Sequence, residues 1–538
     1  MDFPHPTLGN DVPRVCTLQT AKDFLGKNYV SCHQTNEDCR TMISYLPRRV
    51  VDITGPEYEL IEPPSGTVGS YAIVSYACGD GKFLTTNTST IGEPRRCFNQ
   101  NMVPDAIRDA AMLARSVQIQ YLWIDTLCIV QDNPTERDHA AKIGEIFQGA
   151  ALTIAASAAP DLSTSLFVSR TSSYQDIDLF HEGTGIWKNT IFKARRKISC
   201  GNHAKTGKMV NLDCDALDTR ASALQERLLS RRLISFTGAE IQWKCRAVQA
   251  CECRKKPYPG PAPFSVPAPS PGLNLLLLWS ESWNQIIEEY SARKVETRQD
   301  RLQEICGMRE IYGAMTGFTY IDGLWKETLL YYLSWQRDGD VSFERRTSDN
   351  PTFSWASLAG AVNFRFARYS DRVTRRPHAE LVDTKRITVG RLDSRSSITV
   401  RGYTVDATLR VSNDDLQPLK LCVGGADFSS NANQEVPCEF SIDILGEGER
   451  DVVLLSLYSI SYHNSLHEVF LILGKSRVDS KIHRRIGIGS GKFCNRGRNN
   501  VDFSSELHDP IAFDWLADDL ARSSSEFGGM SQRLITIW

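Results

Sequence analysis

The sequence predicts an α/β protein: a parallel βαβαβ core over residues 68–170, then a mixed helical region, then a β-rich C-terminal part. Three stretches carry that expectation. Tyr71–Tyr76 (YAIVSY) and Tyr121–Val130 (YLWIDTLCIV) are apolar on both faces, as strands buried between two helical layers must be. Ala151–Ala156 resumes the same pattern after a helical run. Crossovers between parallel strands are right-handed, so the three carboxyl ends share one edge. That edge brings Ser75–Asp80 near Cys128–Gln131.

Each connecting helix has its own signals. Pro104–Val117 starts with proline at the first helical position and places Asp105 and Asp109 toward the positive end. Ile107, Ala110, Ala111, Ala114 and Val117 form its apolar stripe. The second helix, over 134–148, starts at Asn133-Pro134, with Glu136 three residues after the cap as a capping-box partner. Ala140, Ile143 and Phe147 supply its stripe. Asp125 stands inside a predicted buried strand, so its carboxylate needs hydrogen-bonding partners.

Composition bounds the function. At 538 residues the chain should hold more than one core. A net charge of −2 argues against phosphate-backbone binding, so no nucleic-acid partner is expected. The N-terminus lacks a basic-then-apolar signal pattern. Apolar runs such as Leu275–Trp279 are far short of the roughly 20 residues that span a bilayer. A cytoplasmic protein is expected. Of fifteen cysteines, Cys245, Cys251 and Cys253 cluster as C-x5-C-x-C, which matches no recognised zinc spacing. Free thiols and no metal are the expectation.

The run WIDTLCIVQD, followed by GEIFQGAALTIAAS, resembles the core of the fungal heterokaryon incompatibility (HET) domain. YAIVSYACG resembles that family's opening motif, with Cys78 where tryptophan usually stands. QERLLSRR within Arg220–Cys253 resembles its continuation, with Ser222 in place of another tryptophan. The resemblance implies a role in non-self recognition and programmed cell death. It also implies a fold similar to the Toll/interleukin-1 receptor (TIR) domain, some members of which cleave NAD+ at the nicotinamide–ribose bond. A carboxylate on a helix shortly after a strand end serves that reaction in TIR enzymes. The glutamate many HET sequences carry before the helix motif is missing here, position 139 being His.

The remaining organisation follows from composition. Residues 1–66 are a polar, irregular lead-in, in which Arg48–Leu60 is suited to an edge strand. The HET core over 68–170 is followed by a HET-associated extension over 171–256. A proline-rich spacer occupies 257–271, with extended polyproline geometry. Residues 272–345 are a helical region, and 346–538 are β-rich, with strand patterns at Thr352–Leu358, Ile398–Val411, Asp451–Tyr458, Glu468–Leu473 and Arg484–Ile488. The glycine-rich Gly487–Lys492 fails the phosphate-loop spacing and suits a strand with its turn.

Candidate site residues gather at the strand ends: Ser75, Tyr76, Gly79, Asp80, Asp125, Cys128 and Gln131 as ligand-pocket residues, and Glu136 as the catalytic carboxylate if there is one. Polar, glycine-flanked carboxyl ends of parallel strands are where ligands bind in open α/β sheets. Cys128, inside an apolar strand, suits a packed core thiol better than a nucleophile. Two readings stay open. The favoured one is signalling by protein association or self-association, without a cofactor. The other is an NAD(P)+ glycohydrolase, with NAD+ as substrate.

An accessible proline spacer is a preferred site of nicking. Limited proteolysis should therefore cut within 257–271 before it cuts within 134–148, with the order read by mass spectrometry of the fragments; earlier cutting within 134–148 refutes the division.

Overall fold

A computed structural model describes residues 10, 12–39, 44–77, 79, 85–91, 96–133, 140–170, 177–181, 190–194, 215–254, 256–259, 275–295, 301–338, 350–368, 373–387, 395–411, 420–423, 426–429, 438–443, 448–462, 465–476, 479, 481–492 and 531–538. The chain folds as two units. The first comprises residues 1–265, 293–296 and 303–312, and the second the remainder.

A ten-stranded sheet forms the frame of the first unit. Its strands are β1 (Val50–Asp52), β2 (Glu57–Ile61), β3 (Tyr71–Ser75), β4 (Arg96–Asn99), β5 (Tyr121–Trp123) and β6 (Leu152–Ala155). A separate hairpin, β7 (Ile177–His181) with β8 (Thr190–Ala194), interrupts the count. The sheet then continues with β9 (Arg232–Phe236), β10 (Ile241–Cys245), β11 (Val248–Cys251) and β12 (Tyr258–Pro259). The order across it is β12-β11-β10-β9-β6-β3-β5-β1-β2-β4.

The middle four strands, β9-β6-β3-β5, are parallel, and all other pairings in this sheet are antiparallel. The predicted βαβαβ run is therefore present, with β3 between β5 and β6. Every residue of β3, β6 and β9 is buried, as the absence of a polar face in their sequences requires. The helix Asp105–Ser116 buries Ile107, Ala110, Ala111, Leu113 and Ala114, close to the stripe read from the sequence.

Two expectations for this unit need correction. The apolar run from Tyr121 is a strand only to Trp123, and Asp125–Cys128 is a single helical turn. Asp125 Oδ1 accepts the Thr126 amide at 2.7 Å, a local bond that competes with the ladder. The lead-in is not irregular. Leu18–Thr35 is an 18-residue helix in which Thr17 caps the Thr20 amide, and Ala21, Leu25, Asn28 and Cys32 are buried at spacings of four, three and four. The segment Arg48–Leu60, expected as an edge strand, holds β1 and most of β2, and both lie inside the sheet, with β4 at its edge. Of the helix expected over 134–148, the part Ala140–Gly149 is present, and residues 134–139, Glu136 among them, lie outside the described residues.

In the second unit the β-rich expectation holds. Gly448–Tyr462 pairs with Ser465–Lys475, which pairs with Ile482–Lys492, then Ser531–Ile537, then Arg395–Val411, which pairs back to Gly448–Tyr462. The circuit closes. Leu409, Leu421, Leu454, Phe470 and Ile472 are among its core residues. Gly487 lies within a strand, and a Cβ there would collide with the Ser441 carbonyl oxygen of the paired strand; close backbone approach accounts for this glycine. Thr352–Leu358 is no strand: Ser354 caps a short 3-10 turn, Trp355–Ser357. Among the described residues, no helix is long and apolar enough to cross a membrane.

A buried ion pair anchors this unit. Arg485, fully buried, donates through Nε to Asp443 Oδ2 at 3.0 Å and through its terminal nitrogens to the carbonyls of Leu333 (2.6 Å) and Trp335. Its guanidinium stacks on the Trp335 ring. Removing one partner of such a pair strands the other charge, at about 3–5 kcal/mol, whereas replacing both by apolar groups costs far less. Asp443→Ala should therefore lower the urea midpoint sharply. The double variant Asp443→Leu, Arg485→Met should recover most of that loss.

Candidate functional site

The strand order contains a switch point. From β3 the chain leaves toward β5 on one side; from β6 it leaves toward β9 on the other. The carboxyl ends of β3 and β6 thus lie where connections diverge, the position at which open α/β sheets bind ligands. Gly79, just past β3, adopts φ +52° and sits against the chain that follows β6. A Cβ there would stand 2.6 Å from the Asp161 side chain and 3.1 Å from the Pro160 carbonyl. Only glycine fits such a turn.

Ser75 ends β3, 3% exposed, and its hydroxyl donates to the carboxylate of Glu226. Glu226 belongs to the helix Ala221–Leu229, which connects β6 to β9. It is deeply enclosed yet keeps some solvent contact. Burial pushes its carboxyl above the ordinary value. The Ser75 hydroxyl and the charges of Arg220 and Arg227 pull it back, while Asp125 pushes it up again.

Tyr76, the next residue, is also buried. Its hydroxyl donates to Asp125 Oδ1 and lies 3.1 Å from Thr126 Oγ1. Its carbonyl accepts from the Arg220 guanidinium. Arg227 donates to Ser157 Oγ, just beyond β6, at 3.0 Å and pairs with buried Asp218. Two buried polar atoms on the Glu226 helix, Ser222 Oγ and Arg227 Nε, have no hydrogen-bond partner among the described residues. Unsatisfied buried donors are rare in folded proteins.

Several residues expected at the strand ends are elsewhere. Cys128 is 4% exposed in the core, its sulfur accepting the Ile124 amide at 3.4 Å, and burial pushes its thiol up to about 12. Gln131 closes the helical turn instead of facing a ligand: its side-chain amide donates to the Asp125 and Ile129 carbonyls at 3.1 and 3.0 Å. Asp125 is only partly buried. Asp80 and Glu136 lie outside the described residues. The structure brings together Ser75, Tyr76 and Asp125 with Glu226 and Arg220, which the sequence reading did not single out.

Residues 71–232 match the family model described as heterokaryon incompatibility protein (HET). The chain contains a HET domain. No curated protein and no solved structure matches it. The HET match begins at the first residue of β3 and ends at the first residue of β9, so it covers β3, β5 and β6 of the four parallel strands together with Ser75, Tyr76, Asp125, Arg220 and Glu226.

One feature of the sequence pointed to Glu226: Ser222, Glu226 and Ser230 recur at spacings of four, which puts them on one face of a helix. Nothing local ties that face to Ser75. Among the described residues two groups of potential metal ligands exist, Cys32 with Cys39 and Cys245, and Glu240 with Cys251 and Cys253; neither includes Ser75, Tyr76, Asp125, Arg220 or Glu226.

Asp215 lies at the start of the segment that leads into the helix. It accepts the Gly238 amide at 3.0 Å, and burial, aided by the Asp218 charge, raises its pKa from 3.8 to about 6. The folded chain then holds this proton more tightly than the unfolded chain. Its contribution to stability is consequently greatest at low pH and is lost as pH rises from about 4 to about 6. Asp215→Asn keeps an acceptor for Gly238 and removes the ionisation cost. Its Tm should exceed wild type at pH 7, and the difference should close below pH 4.

Proposed function

We propose that this chain is an incompatibility-type protein that signals non-self recognition by cell death, and that its HET domain does so by cleaving NAD+ at the nicotinamide–ribose bond. One observation carries the reading: Glu226, a carboxylate with a raised pKa, stands at the divergence of β3 and β6 and is held there by Ser75. Glu226 is not the glutamate missing near His139, but it offers a carboxylate on a helix at the ends of the parallel strands.

The chemistry follows from charge. Loss of nicotinamide leaves an oxocarbenium-like ribose, which an adjacent carboxylate stabilises or captures, as in glycoside hydrolysis. Ionised Glu226 meets that cation at C1′, and water completes the hydrolysis to ADP-ribose and a proton. The Ser75 bond orients the carboxylate, and the Arg220 charge offsets part of the rise that burial causes. The orphaned Ser222 hydroxyl and Arg227 Nε are donors suited to the polar nucleotide. Because the anion is the active form, the rate should rise with pH through the elevated Glu226 pKa.

Purified wild-type protein should release nicotinamide from NAD+, and Glu226→Gln should lower the rate at least about 100-fold, in line with loss of one catalytic side chain. The variant should keep the wild-type Tm, since it removes a buried charge and leaves Ser75 an acceptor. Its toxicity on expression should fall with its turnover. No nicotinamide release, with death undiminished in Glu226→Gln, would overturn the enzymatic reading and favour signalling by protein association.

A further inference from the structure

The thiols grouped by sequence are not the ones grouped in space. Cys245 parts from Cys251 and Cys253 and joins Cys32 and Cys39, about two hundred positions earlier in the chain. Cys32 lies in the last turn of the helix Leu18–Thr35, Cys39 closes the 3-10 turn Glu37–Cys39, and Cys245 ends β10. All three are at most 2% exposed, and their sulfurs lie within 4.8 Å of one another. Tetrahedral thiolates about 2.3 Å from a zinc ion stand roughly 3.8 Å apart, so the spacing suits one metal. A disulfide would pair two and strand the third.

The surroundings donate hydrogen bonds to sulfur. Cys245 Sγ accepts the Val248 amide at 3.4 Å and the Asn36 side-chain amide at 3.8 Å. Fully buried Arg232 is the stronger clue. Its guanidinium donates to Cys32 Sγ at 3.4 Å, to the Ala151 carbonyl at 3.2 Å and to the Cys39 carbonyl, and stacks on Tyr29. No carboxylate is among those partners. A buried cation needs a compensating charge.

We propose that Cys32, Cys39 and Cys245 form a zinc site, with Arg232 balancing its charge. Three thiolates around a dication sum to −1, which the guanidinium neutralises. Binding releases the protons of the thiols that were protonated, so it strengthens with pH. Three protein ligands leave the fourth tetrahedral position to a water molecule. Register pairs Cys245 with Arg232, the first residue of β9, so the site lies at the amino-terminal edge of the parallel strands, opposite Ser75 and Glu226. It ties a segment before the HET match to one after it, a structural staple independent of catalysis.

The test uses the full-length protein. Stripped of metal under reducing conditions and titrated with cobalt(II), the wild type should develop the near-ultraviolet thiolate-to-cobalt charge-transfer bands, which one equivalent of zinc should displace. Zinc should raise Tm. By elemental analysis Cys245→Ser should carry about one equivalent less zinc than wild type, and Cys251→Ser should carry as much as wild type. If a serine variant fails to fold, the cobalt spectrum and the zinc-dependent Tm of the wild type still decide. A stripped wild type that develops no such bands, or a folded Cys245→Ser that keeps all its zinc, would overturn the site.

Discussion

The first unit depends on one constraint: β3 is buried along its whole length and paired in parallel on both edges. Because its neighbours depart in opposite directions, the polar groups at its carboxyl end cannot continue a ladder and cannot reach bulk water. Leaving such a group unpaired would cost about 1–3 kcal/mol. The Ser75 hydroxyl and the Tyr76 hydroxyl and carbonyl therefore recruit Glu226, Asp125 and Arg220. The same requirement that satisfies the strand end concentrates charge there.

Buried arginines solve a related problem elsewhere. Arg49 donates to the Cys128 carbonyl, Arg232 to Ala151 and Cys39, Arg301 to Leu358 and Gly360, and Arg485 to Leu333 and Trp335. Each set of carbonyls lies in a turn or at an element's end, where the backbone has no regular partner. The planar fork of a guanidinium can serve two or three of them at once. Every such residue also brings a charge indoors, which is why Asp443 and the Cys32 sulfur stand beside two of them.

The parallel core was readable from sequence because strands covered on both faces carry no polar face, and Tyr71–Ser75 and Leu152–Ala155 have one polar residue each, Ser75 and Thr153. Asp125–Cys128 misled for the same reason: a short apolar run has no period that separates a strand from one helical turn, and the side-chain bond from Asp125 to the Thr126 amide decided the matter locally. Glu226 was obscured by sequence distance, 151 positions from the serine it contacts. The thiols illustrate the converse. Proximity along the chain joined Cys245 to Cys251 and Cys253, whereas antiparallel pairing carries Cys245 to the opposite edge of the sheet, beside Arg232. The helix Leu18–Thr35 was passed over because its apolar positions are few and include Asn28 and Cys32, residues with weak hydrophobic signals.

The outermost strand of the first sheet, β12, bears on how such a protein avoids sticking to its own copies. It is two residues long, and its second residue, Pro259, has no amide hydrogen to offer. A sheet edge invites another strand by displaying a row of free backbone donors and acceptors, and a short, proline-stopped edge displays very few. Aggregation by strand addition is blunted on that side. Contacts made on that side have to work through side chains, which can be selective in a way that a bare backbone edge cannot.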